Sequence, residues 1–324
     1  MVCNGENQFH SQHDRNLMTR DTIKFLVLCV IWGTTWLAIK QGIDAVPPLL
    51  FAGTRFAAAG AILLFIAYCR GKLPRVSHSD APRLLIVSLL MIPLCYGPLF
   101  WGMLYVDSGT AAVLELSLTP VALLGFALLL GDEPFEGRRI LAIIMGVAGL
   151  CVLFAPEIYS TAAAAADQSS FMRLVGSCAV ASAAVVYAYG SVLARPLLAA
   201  YPADFVAGST TLLGGLLLIL GSLVLEPSSL SALQGDWGWP AWAGWLFLVL
   251  FGSLVGYTLF MQLLRDIGAS RAGAFAFVSP VIAVLLGIVT RGEKIGPAEI
   301  TGMTVLLSAA FLALREPKNR SPAE

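Results

Sequence analysis

Long apolar runs alternate with short polar connections along almost the whole chain. A helix that crosses a hydrocarbon core of about 30 Å needs about 20 mostly apolar residues. Lipid offers no hydrogen bonds, so only helices and closed barrels span it, and these runs are too long for barrel strands. Runs of this length lie at residues 23–40, 47–68, 83–106, 109–130, 138–155, 173–194, 203–225, 241–264, 270–290 and 296–315. The pattern therefore predicts an all-α membrane protein with ten transmembrane helices.

The composition agrees with this prediction. Of the 324 residues, 58% are hydrophobic and 12% are charged, against about 45–50% and about 25% in soluble domains. The net charge is zero, which gives no basic field for a nucleic acid. The six cysteines form no CxxC pair and the three histidines lie in polar flanking sequence. We therefore expect no metal, no cofactor and no nucleic-acid partner.

The positions of Lys and Arg indicate the orientation, because cytoplasmic connections are enriched in them. With a cytoplasmic N-terminus and ten spans, fifteen of the twenty Lys and Arg residues fall on the cytoplasmic side. Residues 1–22 lack the features of a secretory signal, so the first run should stay in the protein. We expect cytoplasmic tails at 1–22 and 316–324, an extracytoplasmic loop at 156–172, and a second exposed loop at 226–240.

The chain also contains an internal repeat. At an offset of 160 residues, Thr119-Pro120-Val121 aligns with Ser279-Pro280-Val281, Leu99-Phe100 with Leu259-Phe260, and Glu133 with Glu293. At an offset of 155, Phe51-Ala52-Gly53-Thr54 aligns with Val206-Ala207-Gly208-Ser209. The repeats cover residues 23–155 and 173–315. Because five spans is an odd number, the second copy must enter the membrane in the opposite orientation, and inverted repeats place a binding site near the midplane between the copies.

Several short motifs occur in a characteristic order along these spans. They are Trp32-Gly33-Thr34-Thr35-Trp36, Pro47-Pro48, Thr54-Arg55-Phe56, Ser117-Leu118-Thr119-Pro120 and Gly131-Asp132-Glu133. In this order they resemble the EamA-type members of the drug/metabolite transporter superfamily. The resemblance implies a ten-helix carrier of the bacterial inner membrane that exports amino acids, aromatic ones included, or related small metabolites. A drug or nucleobase exporter of the same fold is the alternative within the family.

Two ionisable residues, Arg55 and Glu115, lie inside predicted spans. A charge at mid-helix costs at least about 2.5–3.5 kcal/mol, so such residues are functional candidates. At 1.5 Å per residue, both lie at similar depth. The repeat places Thr210 and Phe275 at the matching positions of the other half. Arg55 falls at the usual arginine position of the family, whereas an acid at position 115 departs from the family pattern.

The two charges admit three interpretations. They could pair and hold two helices together, which is a structural role. They could instead bind a zwitterionic amino acid, with Arg55 attracting the carboxylate and Glu115 the ammonium group. Glu115 could also carry a coupling proton, since burial favours its neutral form while a nearby Arg55 favours its charged form.

Aromatic residues with polar atoms extend the candidate pocket. They are Trp32, Trp36, Tyr96, Trp101, Tyr187 and Tyr257. An aromatic pocket suits a flat or apolar solute, and the alternative for each ring is packing between helices or against lipid. Because a membrane helix is apolar on all sides, periodicity does not show which rings face the cavity.

Prolines inside the predicted spans should bend their helices, because each removes a backbone hydrogen bond. The repeat-related pair Pro120 and Pro280 are the hinge candidates, with static kinks as the alternative. Gly252 and Gly256 form a GxxxG motif, which allows close helix contact. We expect that contact inside one protomer and a monomeric functional unit.

Three classes of function fit a protein of this kind. The pattern favours a secondary carrier whose partners are a small solute and the lipid bilayer. A membrane enzyme acting on a lipid-linked substrate needs catalytic groups at membrane depth, and the sequence has no His in a span and no GxSxG, HExxH or P-loop. A receptor or passive subunit has no obvious use for an inverted repeat.

Overall fold

The computed structural model describes residues 3–71, 73–106, 108–153, 169–291 and 296–314. Most of the predicted loop at 156–172, the C-terminal tail at 316–324 and Glu293 lie outside these described residues. Helices and short connections make up the whole described part, which contains no strand. The all-helical prediction is confirmed for this part of the chain.

The helices fall on the predicted apolar runs. In chain order they are α1 (Cys3–Ile43), α2 (Pro48–Cys69), α3 (Ala81–Met91), α4 (Pro93–Gly102), α5 (Ser108–Leu129), α6 (Gly137–Leu153), α7 (Ser169–Ala200), α8 (Ala203–Leu225), α9 (Ser229–Ala232), α10 (Trp239–Phe247), a π-helix (Leu248–Tyr257), α11 (Thr258–Ile267), α12 (Ala269–Ala272), α13 (Phe275–Arg291) and α14 (Pro297–Leu314). Within the described ranges, six helical segments are long and apolar enough to cross a membrane: Arg20–Ile43, Pro48–Cys69, Ala81–Gly102, Phe171–Ala200, Ala203–Leu225 and Trp239–Ile267. Shorter apolar helices cover Leu114–Leu129, Ala269–Ile282 and Ile300–Leu314, so the count of ten spans stays a prediction.

Four predicted helices differ in detail from the sequence-based expectation, and one of them, the run at 270–290, is divided into α12 and α13. Helix α1 begins at Cys3 rather than at residue 23, because no proline interrupts the polar segment before the apolar run. The run at 83–106 is split at Ile92, whose φ of −116° and ψ of −74° depart from helical geometry. Pro93 follows this residue and lacks the N–H that would continue the helix. The run at 241–264 contains a π-helical segment of ten residues.

Four groups of helix contacts build the bundle. Helix α2 packs against α8, and α6 packs against α14. Helix α1 packs against α13 and against the α10, π-helix and α11 segments, while α7 packs against α5 and against α3 and α4. In addition, α3 contacts α8 and the π-helix contacts α2. Every helix of residues 3–153 in these pairs is therefore packed against helices of residues 169–314.

Glycines allow α2 and α8 to approach closely. A Cβ atom added to Gly53 would lie 3.0 Å from the carbonyl oxygen of Gly215, and one added to Gly60 would lie 2.7 Å from that of Gly208. Such contacts leave no room for a side chain, so small residues set the helix separation, as is usual in membrane interfaces. Because the earlier glycine of α2 meets the later glycine of α8, the two helices run antiparallel.

The segment at 226–240, which we expected to be an exposed loop, is mostly exposed, but Glu226 and Trp237 attach it to the bundle. The carboxylate of Glu226 accepts hydrogen bonds from the backbone N–H groups of Leu49 at 2.9 Å and Leu50 at 3.2 Å. These N–H groups at the start of α2 have no partner within the helix, so the acid caps it. Trp237 is buried and stacks on Trp242 with ring centroids 4.3 Å apart. Polar sequence alone did not indicate this packing.

Candidate functional site

A cavity lies among α1, α2, α4, α5, α7, the π-helix and α13. Its volume is about 60 Å³, smaller than the about 300–1,000 Å³ of pockets for drug-sized ligands. Seven of the eight aromatic and charged residues singled out in the sequence line it: Trp32, Trp36, Arg55, Tyr96, Glu115, Tyr187 and Tyr257. The structure therefore brings together side chains that are more than 200 residues apart in the sequence.

Arg55 of α2 is a buried cation surrounded by aromatic rings. Its side chain is 3% exposed, and its guanidinium carbon lies 4.2 Å from the ring centroid of Phe56, 5.1 Å from that of Phe100 and 5.3 Å from that of Tyr96. Each of these cation–π contacts contributes about 0.5–2 kcal/mol. Within the described residues, Nε has no hydrogen-bond partner and no carboxylate lies within 4.0 Å. The guanidinium is thus stabilised by rings and has donors free for an anionic group.

Glu115 of α5 faces the same cavity but does not pair with Arg55. Thr119, one turn further along α5, donates a hydrogen bond to the backbone carbonyl of Glu115 at 2.7 Å and to its Oε1 at 3.3 Å. In the part of the chain that the structure describes, the hydroxyl of Thr119 is the side-chain group that forms a hydrogen bond with the Glu115 carboxylate. The structural ion pair considered from the sequence is therefore not formed in this conformation.

A layer of rings closes one end of the cavity. The Trp32 ring lies 4.6 Å from Phe275 and 5.3 Å from Phe260, and Tyr187 lies 5.3 Å from Phe260 on its other side. The Trp32 Nε1–H donates to the carbonyl oxygen of Gly252 at 3.3 Å. The hydroxyl of Tyr187 is buried without a hydrogen-bond partner among the described residues. This hydroxyl and the Arg55 Nε are polar atoms for which the protein itself supplies no described partner.

Tyr257 makes two hydrogen bonds through its hydroxyl. Its hydroxyl accepts a hydrogen bond from Thr210 at 3.5 Å and donates to the sulfur of Met91 at 3.6 Å. Thr210 is the residue that the repeat aligns with Arg55. Tyr96 packs against Phe56 with centroids 4.6 Å apart. Tyr257 therefore contacts the position that the repeat aligns with Arg55, and Tyr96 contacts the residue next to Arg55.

Trp101 does not line the cavity. Its ring packs 5.0 Å from that of Tyr105. Helix α4 presents Cys95, Tyr96 and Leu99 to the cavity, and at about 100° per residue Trp101 lies about 200° from Leu99 around the helix. The expectation from the sequence named the right helix but not the right face.

Phe260 and Phe275 are site residues that the sequence did not single out. Phe260 aligns with Phe100 in the internal repeat, and Phe275 aligns with Glu115. Phe100 contacts Arg55, whereas Phe260 contacts Trp32. Phe275 was already the repeat partner of Glu115, and comparing the aromatic repeat pairs as well would have pointed to Phe260.

The two hinge candidates lie inside continuous helices, Pro120 in α5 and Pro280 in α13. Next to Pro280, the hydroxyl of Ser279 donates across to the carbonyl oxygen of Cys29 in α1 at 3.2 Å. The backbone is interrupted at Ile92 instead. The hinge role of the two prolines stays a prediction.

Charged groups join the two halves of the chain at the face where α5, α7 and α11 end. Lys24 of α1 pairs with Asp266 at 2.9 Å. Asp132, which follows α5, pairs with Arg195 of α7. Glu133 pairs with Arg139 and accepts hydrogen bonds from the hydroxyl and the backbone N–H of Ser270. We call these contacts the ionic face; they close the bundle on the side of the ring layer away from Arg55.

The model of the EamA-like transporter family matches residues 22–155 and, a second time, residues 174–315. The chain belongs to this family. It is therefore a membrane transporter, and its partners are a small-molecule substrate and the lipid bilayer. In this EamA protein the family model thus matches each half of the chain separately.

Relatives across bacteria are similar over nearly their whole lengths. "Uncharacterized inner membrane transporter YedA" of Escherichia coli K12 is 31% identical, covering 88% of this chain and 87% of the relative. "Uncharacterized transporter YoaV" of Bacillus subtilis is 25% identical over 91% and 97%, and "Protein PecM" of Dickeya dadantii is 28% identical over 89% and 90%. A solved chain described as "Crystal structure of protein" has a TM-score of 0.71 over 91% of this chain and 96% of its own, at 20% identity. That likeness shows a shared fold.

Proposed function

We propose that this EamA transporter is a secondary carrier of the bacterial inner membrane that exports amino acids, aromatic ones foremost, by alternating access through the cavity around Arg55. The observation that carries the proposal is a buried guanidinium, free of any described acid, in a cavity lined by aromatic rings. The inner-membrane location is supported by the printed name of the E. coli relative. Aromatic rings provide large contact areas for a flat side chain.

Ten spans in two inverted repeats are part of the proposal. In the repeat, α1 corresponds to α7 and α13 corresponds to α5, so the contact of α1 with α13 is equivalent to that of α7 with α5. The α10 to α11 segments correspond to α3 and α4, so their contact with α1 is equivalent to that of α3 and α4 with α7. Both members of each pair occur. At the repeat offset of 155, the Gly53–Gly215 contact becomes the Gly208–Gly60 contact, which also occurs. This exchange symmetry, together with the antiparallel crossing of α2 and α8, supports an in-plane twofold axis.

The direction of access follows from the ionic face. The Lys and Arg bias assigns this face to the cytoplasm, with both termini on the same side. Lys24–Asp266 and Asp132–Arg195 tie the two repeats together there, below the ring layer. A cavity of about 60 Å³ is too small for an amino acid, so loading and release require the helices to separate. We propose a conformation closed to the cytoplasm, in which the ion pairs are intact.

The proposed roles of the lining residues follow from their chemistry. The guanidinium of Arg55 binds the carboxylate of the solute through two parallel hydrogen bonds. Glu115 binds the ammonium group or carries a coupling proton, and Trp32, Trp36, Tyr96, Tyr187 and Tyr257 contact the side chain. Trp101 has no role in this cavity. Since the helices of one chain complete the cavity, a monomer suffices for transport.

Counterflow in proteoliposomes tests this function. Liposomes loaded with unlabelled L-phenylalanine should accumulate labelled L-phenylalanine without chemical change, and should do so in the absence of ATP. Uracil and tetraphenylphosphonium serve as probes for a nucleobase and a drug exporter of the same fold. Exchange of either of these without exchange of any amino acid would contradict the proposed substrate class, and a chemically altered solute would indicate an enzyme.

A further inference from the structure

Gly252, in the π-helix, is a glycine that packing does not require. A Cβ atom added there would meet Leu248 Cδ2 at 3.4 Å, Thr35 Cγ2 at 3.6 Å and Arg55 Nη1 at 3.8 Å, all ordinary contact distances. Its φ is not positive. By contrast, a Cβ at Gly256, one turn later, would lie 2.6 Å from Trp32 Nε1. Neither close helix packing nor backbone conformation therefore explains a glycine at position 252.

Gly252 lines the cavity directly beside Arg55. A Cβ atom added to Gly252 would contact two groups from other helices, the Thr35 side chain and the Nη1 of the Arg55 guanidinium. Arg55 is 3% exposed, and its Nε has no hydrogen-bond partner among the described residues. The glycine thus keeps space open next to buried donors that have no described acceptor.

The other half of the chain fills the equivalent space. At the repeat offset of 160, Gly252 aligns with Ile92, whose side chain is fully buried. The two sides of the repeat therefore differ at two positions. Arg55 corresponds to Thr210, and Gly252 corresponds to Ile92. One unpaired cation and one missing side chain occur together on the same side of the cavity.

We propose that the carboxylate of the solute binds the Arg55 guanidinium from the side of the cavity that Gly252 lines, and that Gly252 is a specificity-determining residue. This inference rests on the proposed function. A carboxylate accepts bidentate hydrogen bonds from a guanidinium in one plane, and the carbon next to it then faces Thr35 and the glycine. Solutes with at least one hydrogen on that carbon, such as α-amino acids, fit beside the glycine, whereas a carbon bearing three further substituents and no hydrogen does not.

The test measures binding to the full-length protein by thermal shift, with sodium phenylacetate and L-phenylalanine as probes and sodium chloride at equal ionic strength as the blank. The wild type should be stabilised by both probes. Gly252→Ala should need about tenfold more of either probe for the same shift, since the added methyl group would contact Arg55 Nη1 and narrow the approach to it. Gly125→Ala in α5 is the matched control, because nothing lies within 4 Å of the added Cβ, and it should bind as the wild type does.

A second measurement uses the wild type alone, so it does not depend on a variant that folds. The wild type should bind 2-methyl-2-phenylpropanoate, which has no hydrogen next to its carboxylate, at least about tenfold more weakly than phenylacetate. Equal binding of these two acids, or unchanged binding by Gly252→Ala, would overturn the proposal. A wild type that no carboxylate stabilises would overturn it as well.

The same experiments separate this inference from the proposed function. Counterflow of L-phenylalanine that is insensitive to Gly252→Ala leaves the carrier function standing and removes the proposed role of Gly252. Carboxylate binding that depends on Gly252, without counterflow of any amino acid, supports that role and contradicts the proposed export function.

Discussion

Replacing Arg55 by Met should weaken solute binding strongly while leaving the empty protein folded. Burying a charge at mid-membrane costs at least about 2.5–3.5 kcal/mol. Three cation–π contacts at 4.2, 5.1 and 5.3 Å, each contributing about 0.5–2 kcal/mol, together contribute an amount similar to that cost. The two terms nearly cancel, so a flexible apolar side chain of similar length should change the free energy of unfolding by no more than about 1–2 kcal/mol.

Binding should respond much more strongly. A hydrogen bond to a charged group contributes about 1.5–3 kcal/mol, so losing the guanidinium should weaken L-phenylalanine binding by about 10- to 150-fold. Thermal unfolding in detergent measures the first quantity, and titration of the melting temperature with L-phenylalanine measures the second. Arg55→Lys, which keeps the charge but loses the planar pair of donors, should be intermediate in affinity. Wild-type affinity in Arg55→Met, or an unfolded apo variant, would refute this reasoning.

Three further variants address coupling, packing and closure. If Glu115 carries the coupling proton, Glu115→Gln should make counterflow independent of pH, and an unchanged pH profile would exclude this residue as the proton site. Gly60→Ala should lower the free energy of unfolding by about 1–3 kcal/mol, because its Cβ would overpack the α8 backbone. The control Gly125→Ala should have little effect on this free energy. Equal effects of the two substitutions would contradict the packing described for α2 and α8. Asp132→Arg should slow transport by breaking an ion pair of the ionic face, and adding Arg195→Asp should restore the transport rate. A double variant as slow as the single variant would contradict a role of this ion pair in closing the cytoplasmic side.

The sequence was sufficient for the helices because lipid imposes a simple rule on the chain. Every backbone group in the bilayer must be hydrogen bonded internally, so apolar runs of adequate length become helices. The same rule explains why the positions of charged residues inside spans predicted the location of the cavity. Arg55 and Glu115 both line it, since the interior is the place where the bundle tolerates them.

Contacts set by tertiary packing could not be predicted from the apolar runs. Trp101 and Tyr96 lie in the same apolar helix, and only the packing of α4 against α7 and α2 decides which ring faces the cavity. The π-helix at Leu248–Tyr257 has an apolar sequence like that of its neighbours. In a span that is apolar on all sides, periodicity carries no information about the face.

Polar sequence outside the membrane was equally ambiguous. Residues 226–240 are rich in Ser, Pro and Gly, which is typical of an exposed loop. Glu226 nevertheless caps α2 and Trp237 contacts Phe51 with ring centroids 6.2 Å apart. These partners lie far away in the sequence, so no local pattern could indicate them.

The central claim is that two modules cross the membrane in opposite orientations and share one cavity. Reporter fusions test it most directly: alkaline phosphatase, active only outside the cytoplasm, and green fluorescent protein, fluorescent only inside, are each joined after residue 165 and after residue 324. We expect phosphatase activity at 165 and fluorescence at 324, because five spans precede the first junction and ten precede the second. Both junctions reporting the same side of the membrane would contradict the inverted arrangement and the transport mechanism built on it.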